Sequence, residues 1–165
     1  MIKIRKAKVS DAEGIGEMRK EGFKRKAWPY SGRKRFTKKG IDELRDELSS
    51  KSTRCFIAID TNTKRIVGSV NCDSGKGRLR HRVGLGWGVH PDYMGQGIGT
   101  KLLQRALDDA KKRGFKRAEA EMAVKNTPSW KMALNCGFKI EGQKKKGFLT
   151  DDGKYIDTYV VGKIL

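Results

Sequence analysis

The chain has 165 residues, 36% hydrophobic and 35% charged, with a formal net charge of +19. That length and balance suit one globular domain over 1–165 with its own core. No run of about 18 apolar residues is present, so no helical membrane span is expected.

Along the chain, "IKIRKA" (2–7) alternates like a strand, and Ser10 and Asp11 are placed to cap a helix over 11–22 with Ile15 and Met18 inward. A basic loop is expected over 24–36, punctuated by Pro29 and Gly32, then a short helix over 40–48. "RCFIAID" (54–60) and "RIVGSVNC" (65–72) read as a hairpin turned by "TNTK"; "DSGKG" turns again into "RVGLGWGV" (82–89). Over 98–112, Ile98, Leu102, Leu103, Ala106, Leu107 and Ala110 share one helical face, and Gly114 follows. "RAEAEMAV" (117–124) is a strand, "TPSWKMALNCG" (127–137) a helix, and "FKIEGQKK" and "KYIDTYVVGKIL" the last strands. The order describes a mixed α/β domain.

The N-terminus lacks the apolar segment of a signal peptide. Cys55, Cys72 and Cys136 are odd in number and far apart, and His81 and His90 complete no metal-ligand spacing. A cytoplasmic protein with reduced thiols and no metal is expected. The charge of +19 has two readings, an anionic partner such as nucleic acid or a ribosome, or simply a solvated surface.

"MGQGIGT" (94–100) lies between a strand and a helix. A helix start exposes backbone N–H groups, and glycines let them close around phosphate oxygens. The dinucleotide pattern G-x-G-x-x-G fails at Thr100 and Leu102, and the P-loop order fails because Thr100 precedes Lys101. A tight turn with no ligand is the alternative.

The stretch Val89-His90-Pro91 followed by Gly95-Gln96-Gly97-Ile98-Gly99 resembles the phosphate-binding signature of the GNAT N-acetyltransferase family, with Met94 where Gln or Arg is usual. Asn126 and Gly137-Phe138 match a second family block at its spacing. The pattern is nearest to the ribosomal-protein-alanine N-acetyltransferases. The resemblance implies a mostly antiparallel mixed sheet splayed between the fourth and fifth strands, with helices on both faces. It implies acetyl-CoA as cosubstrate, no metal, and an amine acceptor, either a protein N-terminus, a lysine or a small amine.

By the same resemblance, Trp87, Gly88, Val89, Gly95, Gln96, Gly97, Ile98, Gly99, Thr100, Asn126 and Ser129 bind the cofactor. Gly86 and Gly88 suit a bulge, and the Val89 N–H is the oxyanion donor. Glu121, five residues before Asn126, is the base; a solvated strand face or a pair with Lys or Arg is the other reading of this residue. The usual tyrosine acid, seven residues after Asn126, is Ala133 here; nothing identifies Cys136 as a substitute, and Tyr155 or Tyr159 would serve only if the fold brings one round. Lys101, Arg105 and Lys131 are available to a 3′-phosphate, and residues 23–40 and 144–155 flank the acceptor groove. Monomer and homodimer stay open. So does a rival reading, a binding module with the same fold that docks on nucleic acid or a ribosome without turnover.

Overall fold

The strand Thr53–Asp60 (β2) is buried on both faces: Cys55 and Ile57 join one apolar cluster, and Phe56 and Ala58 join another. Successive side chains on a strand point to opposite sides, so the sheet must be covered twice. The computed structural model describes residues 1–27 and 37–165; the expected punctuation at Pro29 and Gly32 lies outside the described residues.

The elements follow the order β1 (Ile2–Lys6), α1 (Ala12–Lys24), α2 (Lys38–Ser49), β2, β3 (Ile66–Ser74), β4 (Arg82–Val89), α3 (Ile98–Lys112), β5 (Arg117–Ala123), α4 (Thr127–Asn135), β6 (Lys139–Leu149) and β7 (Tyr155–Ile164). All seven strands form one sheet, ordered β1-β2-β3-β4-β5-β7-β6. Every neighbouring pair is antiparallel except β4 and β5. Hairpin connections give the β2–β3, β3–β4 and β6–β7 pairs, while β1–β2 is joined through α1 and α2 and β5–β7 through α4 and β6; α3 is the crossover that the parallel β4–β5 pair requires.

Helices α1 and α2 lie on one face. Ala12, Ile15 and Leu44 pack with Cys55 and Ile57 there. Helices α3 and α4 lie on the other, where Ile98, Leu102, Leu103, Ala106, Leu107, Ala110 and Ala133 pack with Val70, Val83, Ala118 and Met122. The six positions read from α3's periodicity are all buried. Leu102 packs close enough to β3 that a Cβ on Gly68 would stand 2.8 Å from its Cδ1.

The ends of the elements differ from expectation for local reasons. Asp11 sits at the N-cap of α1, but its side chain does not cap the helix. Its carboxylate instead takes two bonds from the Arg5 guanidinium, at 2.7 and 2.8 Å, and one from the Lys8 N–H at 2.6 Å. A bidentate ion pair outcompetes a single cap bond. Helix α2 starts two residues early because the Thr37 hydroxyl accepts the Gly40 N–H at 3.2 Å. Helix α4 stops at Asn135, where Gly137 turns the chain at φ +87° and the Lys163 ammonium binds the Cys136 carbonyl at 2.6 Å.

Leu102→Ala should cost about 2–5 kcal/mol, because it empties a fully buried site between α3 and β3. The urea midpoint should fall with the slope unchanged. A loss below about 1 kcal/mol would show that α3 is not the keystone of this face.

Candidate active site

Strands β4 and β5 are hydrogen-bonded neighbours over only three pairs, Arg82 with Arg117, Val83 with Ala118 and Gly84 with Glu119. Glu119 clamps this closed end: its Oε2 accepts from Arg82 Nη1 at 3.0 Å and from Arg117 Nε at 3.2 Å. Beyond it the strands part, while β4 stays paired with β3 as far as Val89.

The direction of the exposed backbone follows from the β3 ladder. Gly75 N–H binds Arg82 O at 3.0 Å, and His90 N–H binds Val67 O at 2.8 Å. Even-numbered residues of β4 therefore spend their backbone groups on β3, and Leu85, Trp87 and Val89 direct theirs toward the opening. No register shift interrupts this ladder, so the bulge expected at Gly86 and Gly88 is absent. The parting needs none, because β5 simply stops following β4.

The side chains alternate too. Val83 and Leu85 are buried toward α3 and α4, and Trp87 and Val89 pack on the same cluster. Gly84, Gly86 and Gly88 thus face the α1–α2 side and leave it bare of side chains. Trp87 Nε1 donates to Ser129 Oγ at 3.1 Å, tying β4 to the first turn of α4.

At the end of β4, Pro91–Tyr93 form a single tight turn, and then Gly95 and Gly97 adopt φ of +76° and +74°. A Cβ on either would meet nothing within 4 Å, so these two glycines are required by backbone angle and leave an open approach. Gly97 is the N-cap of α3 and supplies no side-chain cap. The first-turn N–H groups of Ile98, Gly99 and Thr100 are therefore offered to a ligand at the positive end of the helix, with no acidic residue in that turn.

Gly99 differs from the other two: it is helical and buried, and a Cβ there would stand 2.8 Å from Met132 Sδ. Its work is to seat α3 against α4. Gln96 closes the loop, donating from Nε2 to Asp92 O at 3.2 Å. Arg105 is already stacked over the Phe56 ring at 5.4 Å.

His90 is buried beneath this turn. Its Nδ1 accepts the Asp92 N–H at 3.2 Å, while its Nε2 has no partner among the described residues. Burial pushes the imidazole pKa down.

Across the opening, Ala118, Ala120 and Met122 face the core, and Glu121 faces the α1–α2 side, as the alternation requires. Thr158 Oγ1 donates to Glu121 Oε1 at 2.6 Å, and Lys144 Nζ lies 2.7 Å from Oε2. Burial works to raise the Glu121 pKa, but the Lys144 ammonium and the Thr158 hydroxyl outweigh it, and the net value falls below the ordinary one. Continuing the β4–β5 register sets Glu121 level with Gly86. Asn71 is the partner of Gly86 on β3, and its Oδ1 is buried with no partner among the described residues. Sequence reading missed Asn71 and placed Lys144 only within the stretch 144–155 beside the acceptor groove, without naming it as the partner of Glu121; strand register brings both to this face.

No group stands where a tyrosine acid is usual. Ala133 is fully buried, and burial pushes the Cys136 thiol up. Tyr159 packs edge-on against Trp130 at 5.9 Å, and Tyr155 lies under Lys146 at the far end of β7. Asn126 caps α4 through its backbone carbonyl, which accepts the Ser129 N–H at 3.1 Å. Among the described residues no group of His, Cys, Asp or Glu could hold a metal, and no helix is long and apolar enough to cross a membrane.

Residues 19–138 match the family model for the acetyltransferase (GNAT) family, so the chain belongs to that family. It is 33% identical over 79 residues to the L-amino acid N-acyltransferase MnaT of Escherichia coli, covering 48% of this chain and 45% of that protein. The chain spans less than half the length of the curated relatives it matches. Solved structures that share the fold include these two. One is ribosomal-protein-alanine N-acetyltransferase from Brucella melitensis, with TM-score 0.86 and 19% identity over 99% of both chains. The other is yncA from Salmonella typhimurium, solved with its cofactor acetyl-CoA, with TM-score 0.83 and 20% identity over 99% of this chain and 94% of that one.

His90 gives a pH test of the turn beneath the glycine loop. Its pKa is lower folded than unfolded, so the unfolded chain binds the proton first, and stability is lost as pH falls through about 6.5. His90→Gln should flatten urea stability between about pH 8 and 5 relative to the parent chain; His81, the other histidine, is exposed. An unchanged slope would put the acid sensitivity elsewhere.

Proposed function

We propose that this chain transfers an acetyl group from acetyl-CoA to a primary amine in a ternary complex. The observation that carries the reading is the parting of β4 from β5 beside a helix start headed by positive-φ glycines. The residues fit the cofactor: Gly95, Gly97 and the first-turn N–H groups of Ile98, Gly99 and Thr100 offer donors to a pyrophosphate. Gly88 and Trp87 line the opened edge, which suits the amide-bearing pantetheine arm. Gln96 acts by closing the loop, and Asn126 and Ser129 by fixing the start of α4 and the Trp87 ring.

Acetyl-CoA supplies a thioester whose carbonyl carbon accepts the amine. The Val89 N–H, directed toward the opening, stabilises the oxygen as it gains charge. Glu121, ionised at neutral pH, takes a proton from the acceptor ammonium, directly or through water. The buried Asn71 Oδ1 is available to orient an amine N–H on the same face. With no acid beside the sulfur, the leaving group departs as a thiolate, which a thiol pKa near about 8.5 tolerates. The missing tyrosine is what favours the rival, a non-catalytic binding module. A panel of primary amines with thiol-release detection separates the two readings: no release with any amine, in protein that binds acetyl-CoA, would favour the module.

Gly97→Val should weaken acetyl-CoA binding at least about tenfold, since a β-branched side chain resists the left-handed region and covers the N–H groups. Unchanged affinity in a folded variant, measured by calorimetry, would remove the cradle. Glu121→Gln should keep cofactor affinity and lower turnover by about 10²-fold or more at neutral pH. The deficit should shrink at high pH, where the amine is already neutral. Wild-type turnover at neutral pH would reduce Glu121 to a structural partner of Thr158.

A further inference from the structure

The edge strand β6 carries three consecutive lysines, and the structure treats them differently. Lys145 Nζ binds Asp157 Oδ2 at 2.9 Å, and Lys146 lies over the Tyr155 ring at 5.2 Å. Lys144 alone turns to the α1–α2 face, where its ammonium stands 2.7 Å from Glu121 Oε2. Lysines on an exposed edge usually serve to block strand pairing. Edge protection accounts for all three; the ion pair with Glu121 sets Lys144 apart.

Lys144 faces Glu121 by ordinary strand register, and the residues that follow it are diverted. The β6–β7 register shifts between Lys144 and Phe148, so the chain bulges opposite Asp157. Lys146 holds φ +53° there, which costs a residue with a Cβ about 1–2 kcal/mol. The Asp157 carboxylate sustains it, accepting from the Lys146 N–H at 3.0 Å, Lys145 Nζ at 2.9 Å and Gln143 Nε2 at 3.1 Å. The bulge diverts Lys145 and Lys146 and leaves Lys144 as the last residue of the regular pairing before it. Here Lys144 lies opposite Thr158, whose hydroxyl binds the other oxygen of Glu121.

An acceptor ammonium must lie within hydrogen-bond reach of the base that deprotonates it. Lys144 already meets that geometry. We propose that Lys144 is an intramolecular acceptor and that the chain acetylates its own Lys144 side chain. This rests on the reading of Glu121 as the base. Glu121 takes one proton from the Lys144 ammonium, and the amine lone pair attacks the thioester carbon. The C–N bond forms, the C–S bond breaks and the electron pair leaves on sulfur. One proton ends on the thiol and one in solvent, leaving a neutral amide on Lys144. That amide removes the cation from Glu121, so modified and unmodified protein differ in the charge next to an incoming amine.

The test is peptide mapping by mass spectrometry after incubation of the full chain with acetyl-CoA and no added amine. Acetylation should concentrate on Lys144 over Lys145 and Lys146, at a rate independent of protein concentration. It should fall at least about tenfold in Glu121→Gln and vanish from this peptide in Lys144→Arg, whose guanidinium stays protonated. A readout without cofactor accompanies it: Lys144→Gln should raise the Glu121 pKa measured by carboxyl-carbon NMR. Acetyl spread evenly over exposed lysines, or a Glu121 pKa unmoved by Lys144→Gln, would overturn the proposal. Thiol release with added amines but no label on Lys144 would overturn self-acetylation alone; no release and no label in protein that binds acetyl-CoA would overturn the transferase reading as well.

Discussion

The parting of β4 and β5 after Gly84 and Glu119 is the constraint on which the rest depends. A parallel pair held throughout would consume the outward backbone groups of Leu85 and Trp87 and leave no edge for a ligand. Three pairs are enough because Glu119 binds Arg82 and Arg117 together at the closed end. That end is further anchored by Val83 and Ala118, both fully buried against α3. The open end is held apart by what flanks it. Helix α4 begins where β5 ends and is tied to β4 through Trp87 and Ser129, while β7 takes the free side of β5 along its whole length.

This geometry separates two jobs onto two faces. The odd residues of β4 support the α3–α4 core, and its glycines leave the α1–α2 face open. On β5 the same alternation gives Ala118, Ala120 and Met122 to the core and Glu119 and Glu121 to the open face. The two glutamates look alike in sequence, but their partners differ. Glu119 meets two guanidinium groups and locks the strands. Glu121 meets a hydroxyl and one half-exposed ammonium.

Much of this was legible in the sequence where a local rule had no competitor. The α3 face, the Glu121 side of β5 and the left-handed glycines after β4 all follow from periodicity or from the lack of a Cβ. The Asp11 cap was misread because Arg5, on the preceding strand, takes the same carboxylate. The bulge expected in β4 appeared instead in β6, where Asp157 folds three residues against one. Gly99 looked like its neighbours yet serves helix packing, since only the position of Met132 distinguishes it. Asn71 was invisible, and Lys144 was legible only as part of a basic stretch near the acceptor groove, because their contacts lie across strands distant in sequence, which no single stretch encodes.

The central claim is that the opened strand edge and the start of α3 form one binding site for acetyl-CoA. The most direct measurement is titration of the nitrogen-15-labelled chain with acetyl-CoA, following backbone amides by NMR. The account predicts saturable shifts concentrated at Gly97, Ile98, Gly99 and Thr100 together with Leu85, Trp87 and Val89, with the amides of β1 and β2 unmoved. Shifts absent at saturating cofactor, or gathered on another surface, would contradict it.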